Sequence, residues 1–190
     1  DLPVQEKSKM NSEAKLKIAR LADALIEHAD ALILTSGSTI ESLALNISSH
    51  GQLNIITPSI RVGVYLSDKE NVDVMMLGGR LVVKSLSVRD SYTREGLKYV
   101  NCSKIFCSCD GLDVDAGVTT AFVEEAWITN EMMNTAAQVI LLADSSKIGK
   151  SGYGKICDLS RIDVLITDAG IPQSVRERIE EEGVQVLIAE

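Results

Sequence analysis

The stretch ALILTSGSTIESLALNI, Ala31 to Ile47, passes through three kinds of local chemistry in a single run. It opens on an apolar burst of the sort that forms a strand buried on both faces. It turns at Ser36-Gly37-Ser38-Thr39 and continues with the three-and-four spacing of a helix. A strand leading through a small polar loop into a helix is the building unit of α/β folds. The loop itself has two readings. Amides at a helix N-terminus, a glycine permitting close approach and three hydroxyls suit a phosphate. Ser38 followed three residues later by Glu41 is also a capping box, which needs no ligand.

The unit recurs along the chain. Apolar runs predict strands at Ala31–Thr35, Leu53–Thr57, Val72–Leu77, Lys104–Ser108, Gln138–Ala143, Asp163–Thr167 and Val184–Ile188. Helical patterns fill the gaps at Ile40–Ser49, Ser59–Ser67, Tyr92–Val100, Thr120–Ala136 and Gln173–Glu182. An amphipathic helix precedes them from Glu13, with Ser12 as its expected cap. The alternation predicts an α/β fold with a mainly parallel sheet flanked by helices. Residues 1–12, DLPVQEKSKMNS, are polar and aperiodic and read as a linker or trimmed domain edge, with one domain over 13–190. With no initiator Met, the chain is expected to be a fragment of a longer protein.

In such folds ligands sit beyond the carboxyl ends of the strands. The segments found there are Ser36-Gly37-Ser38-Thr39, Thr57-Pro58-Ser59, Gly78-Gly79-Arg80, Cys109-Asp110-Gly111, Asp144-Ser145-Ser146-Lys147 and Asp168-Ala169-Gly170. Glycines, hydroxyls, acids and a lysine recur among them, which fits a rim for a small, polar, anionic molecule. Gly78 and Gly79 leave amides bare, and Arg80 offers a fork of donors, although a tight turn with a solvated Arg fits equally well. Lys147 supplies a point charge from a loop also rich in Lys150, Lys155 and glycine; a merely solvated loop is the alternative. Glu124 and Glu125 near a helix start are favourable to the helix dipole, and one of them has the chemistry to read a sugar hydroxyl or act as a base.

Composition narrows the function. The 190 residues are 45% apolar and only 4% aromatic, so Ile, Leu, Val and Ala must fill the core. Nineteen basic against 27 acidic residues leave a net charge of −8, unsuited to wrapping a polyanion. The longest apolar runs are too short to span a bilayer, and residues 1–12 lack the apolar core of a signal peptide, so no membrane partner and a reducing cytoplasm are expected. Cys102, Cys107, Cys109 and Cys157 read as buried thiols rather than a metal site, since Cys-x-Cys in a strand is not a structural zinc spacing. With His28 and His50 as the only histidines, no catalytic triad is arguable. Neither a metal nor a cofactor is expected.

Taken in order, these motifs resemble the C-terminal sensor domain of DeoR-type bacterial transcriptional regulators. The matching pieces are the loop at 36–39, Thr57, LGGR at 77–80, Asp110-Gly111, Gly117, Glu125-Ala126, ADSSKIG at 143–149 and IDVLITD at 162–168. The last two are the most specific, and the likeness covers nearly all of residues 13–190. The resemblance implies a fold similar to ribose-5-phosphate isomerase, turned from catalysis to sensing. It implies a homo-oligomer that binds a phosphorylated sugar or related metabolite, and DNA only through an N-terminal winged helix-turn-helix absent from this chain. Ser36, Gly37, Ser38, Thr39 and Lys147 would hold the phosphate. Asp110, Glu125 and Asp168 would read hydroxyls, with Thr57, Gly78, Gly79, Arg80 and Gly111 completing the rim. Thr129 and Asn130 stand where the family usually has a basic pair, and SLSVRDSYT lacks the glycine usual after the GG loop. The rival reading is a sugar-phosphate isomerase with Glu125 as general base. A third is an oligomerisation module whose loops are vestigial.

Overall fold

The computed structural model describes residues 3–48 and 50–190. Seven strands form one sheet: β1 (Ala31–Leu34), β2 (Leu53–Thr57), β3 (Val72–Met76), β6 (Cys102–Ser108), β9 (Ala136–Leu142), β11 (Val164–Asp168) and β12 (Gln185–Ala189). Their spatial order is β12-β11-β9-β6-β1-β2-β3, and every neighbouring pair among the described residues is parallel. The chain steps from β1 outward through β2 to β3, then returns to lay β6 on the other side of β1. The carboxyl ends of β1 and β6 therefore flank the point where the winding reverses, the usual place for a ligand crevice in such sheets.

Alternate residues of each central strand feed two cores. Ile33, Ile105, Cys107, Val139, Leu141 and Leu165 face one side, and Leu32, Leu34, Phe106, Ile140, Leu142 and Ile166 the other. The second face is covered by α2 (Ser12–Asp23), α3 (Ser38–Asn46) and α4 (Ile60–Leu66), through Ile18, Ala22, Ile40, Leu43, Val62 and Leu66. The first is covered by α5 (Ser91–Leu97), α6 (Val123–Met133) and α7 (Gln173–Glu181), through Leu97, Ala126, Met132 and Ile179. Strands buried on both faces are why the sequence shows continuous apolar runs there rather than alternation.

Two smaller sheets are absent from the sequence reading. A short hairpin joins β4 (Leu81–Val82) to β5 (Ser87–Val88), and β7 (Gly111–Asp113), β8 (Gly117–Thr120) and β10 (Gly154–Cys157) form an antiparallel sheet. Thr120 pairs with Gly154 in that sheet, so the helix expected over Thr120–Ala136 is trimmed to α6, with Ala136 already opening β9. Among the described residues of the 1–12 stretch, a helical turn, α1 (Val4–Lys7), precedes α2, which already begins at Ser12. The expected cap of α2 is displaced by one residue. Asn11 holds the cap position with φ 51°, and its side-chain amide donates to Asp144 Oδ1 at 3.0 Å instead of capping.

Candidate functional site

At the switch point β1 runs out through Ser36-Gly37 into α3. Gly37 occupies the cap position with φ 122° and ψ 155°, and no side chain caps the helix. The capping box expected from Ser38 and Glu41 is not formed, because Ser38 is already the first helical residue. Glu41 turns inward instead, 3% exposed and 3.3 Å from the Arg61 guanidinium. A glycine is required at 37: its φ suits few other residues, and a Cβ there would run into Ser108 Oγ at the end of β6. That same hydroxyl donates to Ser36 O at 2.9 Å, tying the two strand ends together. The first-turn amides of α3 thus face the cleft without a capping oxygen, the arrangement that favours an anion.

The opposite wall is acidic. Asp110, just past β6, accepts from Thr120 Oγ1 (3.0 Å) and the Ala121 amide (3.1 Å) on Oδ2, and from Lys7 Nζ (2.7 Å) on Oδ1. Burial alone would raise its carboxyl, but the bond and charge of Lys7 and the two remaining donors outweigh it and hold it below the ordinary carboxylate value. Glu125, in the first turn of α6, pairs with the buried Arg89 at 3.1 Å. Here burial wins over the Arg89 charge, and the carboxyl is raised. Arg89 also lies over the Phe122 ring, 5.1 Å from its centroid, which fixes its direction.

Lys147 closes a third side. It ends the short 3-10 turn Ser145–Lys147 after β9; its backbone amide donates to Asp144 O at 2.9 Å, while its ammonium has no ion pair or hydrogen bond among the described residues. The turn is held from below. Asp168, at the end of β11, accepts from Ser145 N (2.6 Å), Ser145 Oγ (2.8 Å) and Gly170 N (3.0 Å). Cys109 lines the cleft too, and burial pushes its thiol up to about 12 against the pull of Lys147, which disfavours the thiolate.

Of the residues expected from sequence, Ser36, Gly37, Ser38, Thr39, Asp110, Glu125 and Lys147 line this one cleft. The others do not. Thr57 is fully buried, its Oγ1 accepting from the Ser59 amide. Gly78 and Gly79 serve the start of α5: Thr93 Oγ1 donates to Gly78 O, and a Cβ on Gly79 would strike Thr93 and Asp90. The Arg80 side chain is exposed, while its amide donates to Asp90 Oδ2 at 2.8 Å. Gly111 opens β7 where a Cβ would meet the Lys150 carbonyl. Asp168 acts through Ser145 and borders a neighbouring hollow. Sequence reasoning missed Lys7, Lys84, Ser85, Ser108 and Thr120, all of which line the cleft. Lys84 and Ser85 come from the β4–β5 turn, and only the short VVKSLSV run signals it. The cleft has a volume of about 50 Å³, room for a few waters.

An open parallel sheet with a polar, glycine-floored cleft at its switch point defines the class of domain. The chain belongs to the family of DeoR C-terminal sensor domains, whose family model matches residues 10–169. It is 34% identical over 179 residues to the HTH-type transcriptional repressor GlcR of Bacillus subtilis, covering 94% of this chain and 69% of that protein. It is 33% identical over 166 residues to the lactose phosphotransferase system repressor of Staphylococcus epidermidis, covering 86% of this chain and 65% of the relative. Among solved structures, ribose 5-phosphate isomerase A from Methanocaldococcus jannaschii superposes with a TM-score of 0.54 at 15% identity, covering 73% of this chain and 55% of the isomerase. That likeness shows the fold. The chain spans little more than half the isomerase's length. No helix among the described residues is long and apolar enough to cross a membrane.

Proposed function

We propose that this domain senses a phosphorylated sugar or a closely related metabolite for a DNA-binding repressor of carbohydrate metabolism. The observation that carries the reading is the uncapped start of α3, with Gly37 wedged against Ser108 and Lys147 at its side. A phosphate on the amides of Ser38 and Thr39 would place the sugar toward Asp110 and Glu125, whose carboxylates accept from hydroxyls. The relatives' names support the regulatory setting, since both are repressors and one is that of a lactose phosphotransferase system. DNA would be bound by a winged helix-turn-helix preceding this domain in a cytoplasmic homo-oligomer. The effector would act by binding one arrangement of the two parts more tightly than the other.

Thermal shift against sugar phosphates and their unphosphorylated parents tests the reading. A ligand at about one hundred times its dissociation constant adds roughly 2.7 kcal/mol. A shift from a phosphorylated sugar and none from its parent is the expected result; equal shifts from both would remove the cradle.

A second reading rests on Glu125, whose raised carboxyl lies in the cleft of a fold shared with an isomerase. A general base for aldose–ketose isomerisation needs this kind of environment. The pairing of Glu125 with Arg89 argues for a fixed hydroxyl acceptor instead. Absence of turnover with any sugar phosphate that binds is the outcome we expect.

A further inference from the structure

The cleft holds a residue from far away in sequence. Lys7, at the end of the single turn α1, reaches across to Asp110 Oδ1 at 2.7 Å, a contact between residues 103 positions apart. The segment carrying it is pinned at three further points. Lys15 Nζ donates to the carbonyls of Lys7 and Met10, and Asn11 Nδ2 donates to Asp144 Oδ1. Small-molecule sites commonly enclose about 300–1,000 Å³. With Lys7 in place, this cleft has about 50 Å³. Lys7 occupies the Asp110 oxygen that faces it, so a sugar hydroxyl that reads the carboxylate through Oδ1 must displace it.

The surroundings of Lys15 provide for that movement. Lys15 is 4% exposed, and its ammonium is engaged by the two backbone carbonyls of the segment. Two buried carboxylates act on its charge, Asp144 and Glu41. Each is at most 3% exposed, and each has one oxygen, Glu41 Oε1 and Asp144 Oδ2, with no hydrogen-bond partner among the described residues. Unsatisfied buried carboxylate oxygens are costly, and the cation whose charge they feel is bonded elsewhere. The arrangement has a second way to satisfy itself: the segment leaves, and Lys15 turns from the carbonyls to the carboxylates.

We propose that residues 3–11 form a strap seated in the effector cleft through Lys7, and that a sugar phosphate whose hydroxyls claim Asp110 Oδ1 displaces it. Lys15 then re-pairs with Glu41 and Asp144, so that occupancy of the cleft is read out as release of the N-terminal segment. This deepens the sensing reading and rests on it. It also makes a distinction within one site. Inorganic phosphate satisfies the α3 amides but brings no sugar hydroxyl to Asp110, and it leaves the strap seated.

Limited trypsin digestion after Lys9, followed by mass spectrometry, reads the strap directly in the intact chain. Without ligand, Lys7→Met and Asp110→Asn are each expected to speed that cleavage by about tenfold or more, since cleavage follows the open population. Cleavage of both at the wild-type rate overturns the strap, whatever the cleft binds. In the wild type, a sugar phosphate that gives a thermal shift, tried from glucose 6-phosphate and ribose 5-phosphate onward, is expected to speed cleavage while inorganic phosphate does not. A thermal shift without faster cleavage overturns the coupling and leaves the sensing reading standing. No shift from any sugar phosphate, in wild type and Lys7→Met alike, overturns the sensing reading and the coupling together.

Discussion

Lys147→Ala separates a binding role from a structural one. The lysine is half-buried beside the α3 N-terminus, and its ammonium makes no ion pair or hydrogen bond among the described residues. Removing its side chain breaks nothing that holds the fold, and it relieves a repulsion with Lys15, whose ammonium is lowered first by burial and then by the Lys147 charge. The change in unfolding free energy is therefore expected to stay within about 0.5 kcal/mol, as for substitutions away from packed features. Binding is another matter. A charge-assisted hydrogen bond to phosphate is worth about 1.5–3 kcal/mol, which at 1.4 kcal/mol per decade weakens the dissociation constant roughly 10- to 150-fold. Isothermal titration with a sugar phosphate identified by thermal shift measures the loss, and urea denaturation of the same sample measures the fold. The loss should shrink at high salt if the lysine acts as a point charge. An unchanged dissociation constant, or a weakened one in a variant that also melts early, would refute the role assigned to Lys147.

Three further outcomes follow from the geometry. Gly37→Ala places a Cβ against Ser108 at positive φ; it should cost about 1–3 kcal/mol in urea denaturation and abolish phosphate-dependent stabilisation, and retained stabilisation would show that the loop is not the cradle. Phe106 is fully buried between the central strand and the α2–α3 face, so Phe106→Ala should lose about 3–5 kcal/mol by the same assay, and a loss under about 1 kcal/mol would contradict the core described. Asp110, Asp168 and Asp30, the last bonded to Lys104 Nζ (2.7 Å) and Ser103 Oγ (2.6 Å), have carboxyls held below their ordinary value, so each contributes stability present above the unfolded carboxylate pKa, about 3.9, and lost as pH falls through the lower folded value. The urea midpoint should therefore fall between about pH 5 and pH 3, less steeply in Asp110→Asn, and a midpoint flat over that range would count against these pairings.

The centre of the sheet was legible because its strands are buried on both faces. Runs such as Leu32–Leu34 and Val139–Leu142 have no polar alternation to confuse with a helix, and each core strand was expected within two residues of its place. The antiparallel sheet was not, since Gly111–Asp113 and Gly117–Thr120 are short, carry glycines and look like turns. In the cleft, the glycine loop, Asp110, Glu125 and Lys147 follow strand ends or a helix start, and the order of motifs pointed to them. Glu41 was misread because three-residue spacing from Ser38 mimics a cap, whereas burial turned the carboxylate toward Arg61. Lys7 carries no local signal at all: a lysine in a polar, aperiodic stretch acquires its meaning only from Asp110, reached through tertiary packing. Gly78, Gly79 and Arg80 show the reverse case, a conspicuous motif whose work is to start a helix.

The most direct test of the central claim is an amide-resolved nuclear magnetic resonance titration of the wild-type chain with a sugar phosphate that stabilises it. The account predicts the largest shifts at the amides of Gly37, Ser38, Thr39 and Ile40, with a second group at Asp110 and Ala121 where the strap contact is lost. Shifts centred elsewhere, at the hollow beside Asp168 and Gly170 for instance, with the α3 amides unmoved, would contradict it.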